Sequence, residues 1–209
     1  GEYIISKPIC TASNGVLSVS LKLSDNAVIK ASDDWDKANG AMIRLGGQDQ
    51  LNSINIPGRN YYIEGGIIDG NGKASGVAVD HGRETSVRDV TIVNTEVGLH
   101  VKYGANGGSS DADIENIRIV GNGERGSIGL HIAGWDNTYS NMRISNVQTG
   151  VKIVGGGNFL RNIHPLYIYA GELALKDPDH YDNVEYIDYS QSVAFHEISN
   201  NNWYDLCYS

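Results

Sequence analysis

A four-residue apolar unit that begins with glycine recurs along the middle of the chain and constrains the fold more than any other feature. Its copies are Gly76-Val77-Ala78-Val79, Gly98-Leu99-His100-Val101, Gly129-Leu130-His131-Ile132 and Gly150-Val151-Lys152-Ile153. Successive glycines are 22, 31 and 21 residues apart. A period in the twenties, with short strands and no crossover helix, is typical of a solenoid whose repeats bury their apolar faces against their neighbours.

A second unit precedes the first in three of these repeats. Its copies are Asp89-Val90-Thr91-Ile92, Asn116-Ile117-Arg118-Ile119 and Asn141-Met142-Arg143-Ile144. Between the two units we expect a tight turn at Asn94, Gly121 or Asn146, and Asp69 fits the same position earlier in the chain. Asn and Asp tolerate the left-handed conformation that such turns need, so this column requires no functional explanation.

Each repeat therefore consists of a strand, a tight turn, a second strand and a variable loop. The pattern predicts an all-β protein, a single-stranded right-handed parallel β-helix, in which each repeat adds one strand to each of several parallel sheets. Because side chains alternate along a strand, the apolar residues of each unit point inward and the residue between them points outward. The predicted inward residues are Leu99, Val101, Leu130, Ile132, Val151 and Ile153.

Composition narrows the class of protein further. The chain has 209 residues, a formal net charge of −9 and 40% hydrophobic residues, which suffices for a buried core. The acidic balance argues against nucleic-acid binding, and no apolar run is long enough to cross a membrane. We predict one domain over 1–209 and, because the chain opens without an initiator Met or a signal peptide, a piece of a longer protein.

The two cysteines, Cys10 and Cys207, lie near opposite ends of the chain. Two thiols form neither a disulfide framework nor a convincing zinc site. Stacked repeats would hold them some 30 Å apart, at about 4.8 Å per strand, so we predict that both are free. No motif indicates a metal or another cofactor.

Four segments resemble the pectate lyase superfamily, which includes polygalacturonase-like hydrolases and phage tailspikes. They are the opening 1–9, the run 67–72 (Ile-Ile-Asp-Gly-Asn-Gly), and the coils around 134–137 and 157–165. The resemblance covers roughly residues 1–200 and implies a parallel β-helix that acts on or binds a polysaccharide, outside the cell or on a virion. The Arg-x-Lys of polygalacturonases is absent, so the resemblance supplies an architecture without a set of catalytic residues.

Aligning the repeats gives two polar columns. The first points outward from one sheet and contains His100, His131 and Lys152; the second contains Glu84, Asp111, Asp136 and Gly157. A carboxylate beside a histidine raises the imidazole pKa and forms an acid–base pair, and two carboxylates across one glycosidic bond serve hydrolysis. We therefore predict Asp136, Asp111 and His131 as catalytic residues and His100, Lys152 and Trp135 as substrate-binding residues.

Other interpretations of the same residues remain open. Outward His and Lys on a solenoid are usually solvated surface, and loop Asp residues usually cap turns. The leading hypothesis is a glycoside hydrolase or lyase that recognises a polysaccharide. The alternatives are a non-catalytic adhesin or stalk, and an assembly module that forms a homotrimer through an exposed sheet.

Overall fold

A computed structural model describes residues 1–11, 19–46, 61–80, 82–104, 107–166 and 192–209. Over these residues the regular structure is almost entirely β, with 22 short strands and one turn of 3-10 helix at Lys37–Asn39. No helix in the described ranges is long and apolar enough to cross a membrane. The predicted all-β class is confirmed.

Seven parallel strands form the first sheet, which we call the seven-stranded sheet. In order across the sheet they are β2 (Ile9–Cys10), β5 (Ala41–Leu45), β8 (Ser75–Val79), β12 (Val97–Val101), β17 (Ile128–Ile132), β19 (Thr149–Ile153) and β21 (Val193–Glu197). The recurring glycine-led units lie in β8, β12, β17 and β19 and pair in one register along the sheet.

The second sheet has twelve strands in two arms that share β18 (Thr138–Ser145) and β20 (Phe159–Leu166). The first arm continues through β15 (Asp113–Glu115), β10 (Ser86–Arg88), β6 (Tyr61–Glu64) and β3 (Val19–Lys22) on one side and β22 (Trp203–Asp205) on the other. The second arm continues through β16 (Arg118–Gly121), β11 (Thr91–Thr95), β7 (Ile67–Asp69), β4 (Val28–Ala31) and β1 (Glu2–Ile5). A small third sheet contains β9 (Gly82–Arg83), β13 (Tyr103–Gly104) and β14 (Gly107–Ser110).

The chain visits the first arm, the second arm and the seven-stranded sheet in turn, and we call one such circuit a pass. Each strand of a pass pairs in parallel with the corresponding strand of the next, for example β10 with β15, β11 with β16 and β12 with β17. This pairing is compatible with a parallel β-helix. The sequence predicted two strands per repeat where the structure has three, because strands as short as β10 and β15 carry too few residues for a visible alternation.

The core is one continuous apolar cluster enclosed by the sheets. All six residues predicted to point inward are fully buried: Leu99, Val101, Leu130, Ile132, Val151 and Ile153. The prediction of their orientation is confirmed. The outward residues between them, including His100 and His131, are half-buried.

Glycine opens each repeated unit because a Cβ atom has no room there. On Gly129 an added Cβ would lie 2.2 Å from Cγ2 of Ile144 and 2.7 Å from the carbonyl oxygen of Gly150. On Gly98 it would lie 2.5 Å from Cγ2 of Ile119. The second arm and the seven-stranded sheet therefore pack through a column of glycines, which allows their backbones and isoleucine side chains to approach closely.

In four successive passes the corner between the two arms is made by one residue in the left-handed conformation. These residues are Asp89, Asn116, Asn141 and Asn162, with φ between 52° and 56°. The predicted turn residues Asn94 and Asn146 also have positive φ, whereas Asp69 and Gly121 do not. Cys10 and Cys207 are both free, as predicted.

Candidate functional site

The predicted outward column on the seven-stranded sheet exists. His100 pairs in register with His131, and His131 pairs with Lys152. The two imidazole rings stack with centroids 4.2 Å apart and planes inclined by 8°. The column continues through Arg44 and Ala78 at one end and His196 at the other.

The surroundings of His100 and His131 favour the neutral form of each imidazole by lowering its pKa. Burial is the main cause that lowers the pKa of His131, and the charge of Lys152 adds to it. Burial, His131 and Lys102 lower the pKa of His100 to about 3. The pKa of His131 is therefore lowered, whereas a neighbouring carboxylate would raise it; burial is the larger cause and Lys152 the second. The catalytic role of His131 stays a prediction.

A buried carboxylate anchors the two cations beside His100. Asp80 accepts hydrogen bonds from Nε and Nη2 of Arg44 at 2.7 and 2.9 Å, and Nζ of Lys102 lies 3.0 Å from its Oδ1. The Asp80 side chain is 3% exposed. Such a bidentate pair holds the Arg44 guanidinium against the sheet. Both oxygens of the Asp80 carboxylate are occupied by Arg44 and Lys102.

The predicted acidic column lies at a corner that follows the seven-stranded sheet. Glu84, Asp111, Asp136 and Gly157 all have positive φ, between 54° and 73°. Asp111 accepts a hydrogen bond of 2.6 Å from Nε of Arg83, and Asp136 lies directly over Gly157. The left-handed backbone gives these residues a role in forming the turn. Turn formation explains their pattern more simply than catalysis does.

A ladder of asparagines runs directly behind this acidic column, and sequence reasoning missed it. Asn158 is fully buried; it accepts hydrogen bonds from the backbone and side chain of Asn137 and donates to Oδ1 of Asn202. Asn137 in turn accepts from the backbone N–H of Ala112 at 2.9 Å. The sequence does contain a signal for this ladder. In three successive passes an Asn (Asn137, Asn158 or Asn202) directly follows the residue in the left-handed conformation.

Trp135 lies beside the acidic column and forms an exposed aromatic pair with Tyr103. Their ring centroids are 6.1 Å apart with planes inclined by 58°, and the rings are 41% and 54% exposed. An added Cβ on Gly156 would lie 2.8 Å from the Trp135 ring, so the indole rests on that glycine. This pair is the flat apolar surface available near the predicted site.

A groove of about 920 Å³ follows the concave corner between the two arms. Its lining comes from six successive passes, which at about 4.8 Å per strand gives a length of about 24 Å. The described lining residues are Lys22, Leu23, Asp25, Glu64, Gly65, Gly66, Asp89, Thr91, Asn116, Arg118, Asn141, Arg143 and Asn162. None of the six residues predicted for the site lines this groove.

The groove wall is polar and repeats from pass to pass. The corner residues hydrogen-bond to each other, with Asn116 donating to Asp89 at 3.1 Å and Asn162 donating to Asn141 at 2.9 Å. The third residue of each Asp/Asn-led unit points into the groove, which places Thr91, Arg118 and Arg143 in one row. The Asp/Asn-led units were visible in the sequence, but they were interpreted only as strands and not as the wall of a groove.

The described residues contain no cluster of three or more His, Cys, Asp or Glu side chains that could hold a metal ion. No family model, curated protein or solved structure matches the chain. The function must therefore be argued from the geometry alone.

Proposed function

We propose that this chain is a right-handed parallel β-helix that recognises a polysaccharide in the groove between the arms of its twelve-stranded sheet. One observation carries the proposal: a polar groove about 24 Å long has an Asp or Asn at its corner in four successive passes. A linear polymer with regularly spaced hydroxyl groups matches such a wall, because each of these four passes offers it an amide or carboxylate partner at the same position.

The side chains suit the recognition of sugars. Amide oxygens and carboxylates accept hydrogen bonds from hydroxyl groups, whereas amide N–H and guanidinium groups donate them. Asn116, Asn141 and Asn162 present the same amide in three consecutive passes, and the hydrogen bonds of Asn162 to Asn141 and of Asn116 to Asp89 orient them before any ligand arrives. Ordering them beforehand reduces the entropic cost of binding.

A second site for the same function is the outward column of the seven-stranded sheet. There Trp135 and Tyr103 would stack on a sugar ring, with His100 and Lys152 as polar contacts and Asp136, Asp111 and His131 as the groups that cleave it. The exposed aromatic pair favours this candidate. The non-catalytic adhesin and homotrimer hypotheses remain as alternatives in which the same surfaces only bind.

The test is a glycan-array screen followed by calorimetric titration of the best oligosaccharide. Asn116→Ala/Asn141→Ala should weaken binding about 5- to 150-fold if the groove is the site, since each lost hydrogen bond contributes about 0.5–1.5 kcal/mol. Trp135→Ala should weaken binding instead if the pair of Trp135 and Tyr103 is the site. Product analysis with Asp136→Asn then separates cleavage from binding. If no glycan binds or is cleaved, the polysaccharide function is wrong.

A further inference from the structure

Two arginines in the groove lack the acidic partners that the structure gives to four other arginines; Arg125, at an exposed turn outside the groove, also lacks one within the described part of the chain. Arg118 and Arg143 are direct neighbours on paired strands β16 and β18, and neither has an ion-pair partner among the described residues. Arg143 donates only to the carbonyl oxygens of Met142 and Asn162 and to the Asn162 side-chain oxygen. The paired arginines elsewhere are Arg44 with Asp80, Arg83 with Asp111, Arg88 with Glu115 and Arg161 with Asp205.

This arrangement is unfavourable in the free protein. Like charges that face each other across paired strands repel, as Arg118 and Arg143 do. On the first arm the chain avoids the problem by alternating signs, as in Lys22 beside Glu64 and Arg88 beside Glu115. An oxyanion between Arg118 and Arg143 would offset their repulsion, and guanidinium groups bind carboxylate, sulfate and phosphate in bidentate geometry.

The first three passes of the groove, which we call its acidic end, have the opposite charge. Asp25 lies on the first pass and Asp89 on the third, directly beside the pass that carries Arg118, while Lys22 is 3.1 Å from Glu64 and balances that carboxylate. Carboxylates accept hydrogen bonds from sugar hydroxyls but repel negative substituents. A polymer with one negative charge on every sugar would therefore meet repulsion over half of the groove.

We propose that the groove selects a glycan with sparse negative charge. One oxyanion substituent, a carboxylate or a sulfate or phosphate ester, binds Arg118 and Arg143, while uncharged hydroxyl-bearing sugars lie over Asp25 and Asp89. This inference rests on the proposed binding of a polysaccharide in the groove and adds the charge pattern of its ligand.

The first experiment compares neutral, sparsely charged and fully charged oligosaccharides on an array and then by titration calorimetry. Wild-type protein should prefer the sparsely charged members. Arg118→Gln/Arg143→Gln should weaken their binding about 10- to 100-fold, the range expected for losing hydrogen bonds to a charged group. The matched control, Arg88→Gln/Arg161→Gln, removes two positive charges outside the groove and should leave binding within about twofold.

A second variant tests the acidic end. Asp25→Asn/Asp89→Asn should improve the binding of fully charged oligosaccharides relative to sparsely charged ones, because it removes the repulsion there. Equal affinity for neutral and charged members, or equal loss in the two arginine double variants, would overturn the charge-selection inference while leaving glycan binding intact.

A third measurement distinguishes the source of the oxyanion. Inorganic sulfate and methyl glucuronide are titrated separately while the side-chain Nε–H signals of Arg118 and Arg143 are followed by NMR. The glycan-borne group should bind at least tenfold more tightly in the oligosaccharide than as the free anion. If sulfate shifts these signals and no glycan binds, both the proposed function and this inference are wrong.

Discussion

His100 and His131 stack face to face on neighbouring strands, with ring centroids 4.2 Å apart and planes inclined by 8°. The parallel register of β12 and β17 imposes this contact, because residues at equal positions in successive passes lie directly side by side. Two imidazolium ions in this position would repel each other. The stack therefore favours neutral rings and links protonation of this surface to stability.

The stability of the protein should fall in acid partly because of His100. Its folded-state pKa of about 3 lies below the ordinary value of 6.5, owing to burial, His131 and Lys102, with Arg44 adding to the effect and Asp80 opposing it. Between pH 6.5 and about 3 the unfolded chain binds a proton that the folded chain does not. The unfolding free energy should then decrease as pH falls, by at most about 1.4 kcal/mol per pH unit.

Denaturant titrations of wild type and His100→Gln at several pH values would measure this effect. The variant keeps a polar side chain but cannot titrate, so its pH slope should be smaller than that of wild type between pH 4 and 6. Identical slopes would show that the His100 imidazole titrates normally and that the stack does not oppose its protonation.

Removal of the Asp80 carboxylate should be strongly destabilising. Asp80→Asn leaves the Arg44 guanidinium, whose side chain is 10% exposed, without its buried counter-charge. Losing one partner of a buried pair costs about 3–5 kcal/mol. Glu115→Gln is the control, because Arg88 and Glu115 form an exposed pair that contributes less than about 1 kcal/mol. Similar unfolding free energies for the two variants would contradict the prediction.

Adding one methyl group in the glycine column should also destabilise the fold. In Gly129→Ala the new Cβ would lie 2.2 Å from Cγ2 of Ile144, which is close to its backbone and cannot swing away. Overpacking of this kind costs about 1–3 kcal/mol. A double-mutant cycle with Ile144→Ala should show a favourable coupling, measured by chemical denaturation, since that change removes the clashing methyl group. Zero coupling would show that the strain in Gly129→Ala does not arise from the contact with Ile144.

The fold was predictable where residues repeat with a strong physical constraint. The glycine-led units mark one sheet because only glycine fits beside Ile119 and Ile144, and the alternation of Leu99, His100 and Val101 gives their orientation. The first arm was missed because its strands are short.

The candidate groove was beyond sequence reasoning for a different reason. The corner residues Asp89, Asn116 and Asn141 were visible as a repeat, but whether a left-handed corner is concave depends on how the two arms bend around it. The significance of the row of Arg118 and Arg143 depends on their neighbours in space, because the sequence does not show that the acidic side chains of the first arm pair with other cations. Likewise, burial and the charge of Lys152 lower the pKa of His131. The repeat alignment placed Lys152 in the same column, but its effect on the imidazole was not considered.

The asparagine ladder gives the last prediction. Asn158 donates through Nδ2 to the carbonyl oxygens of Gly134 and Gly156 and to Oδ1 of Asn202. Asn158→Asp keeps the shape but directs a carboxylate oxygen at these three acceptors in a fully buried position. The unfolding free energy should fall by about 3 kcal/mol or more at pH 7, since an unsatisfied buried group is costly and a charged one more so.

The pH dependence of this variant identifies the cause. Burial and neighbouring acceptors raise the pKa of the introduced carboxyl in the folded state, so its penalty is greatest above that pKa and shrinks as pH falls. Denaturation at pH 7 and pH 5 should show a smaller difference from wild type at the lower pH. Asn141→Asp is the control: the position is exposed, and aspartate tolerates its left-handed backbone, so the change should cost less than about 0.5 kcal/mol. If both variants lose the same stability at every pH, the ladder does not depend on the Asn158 amide.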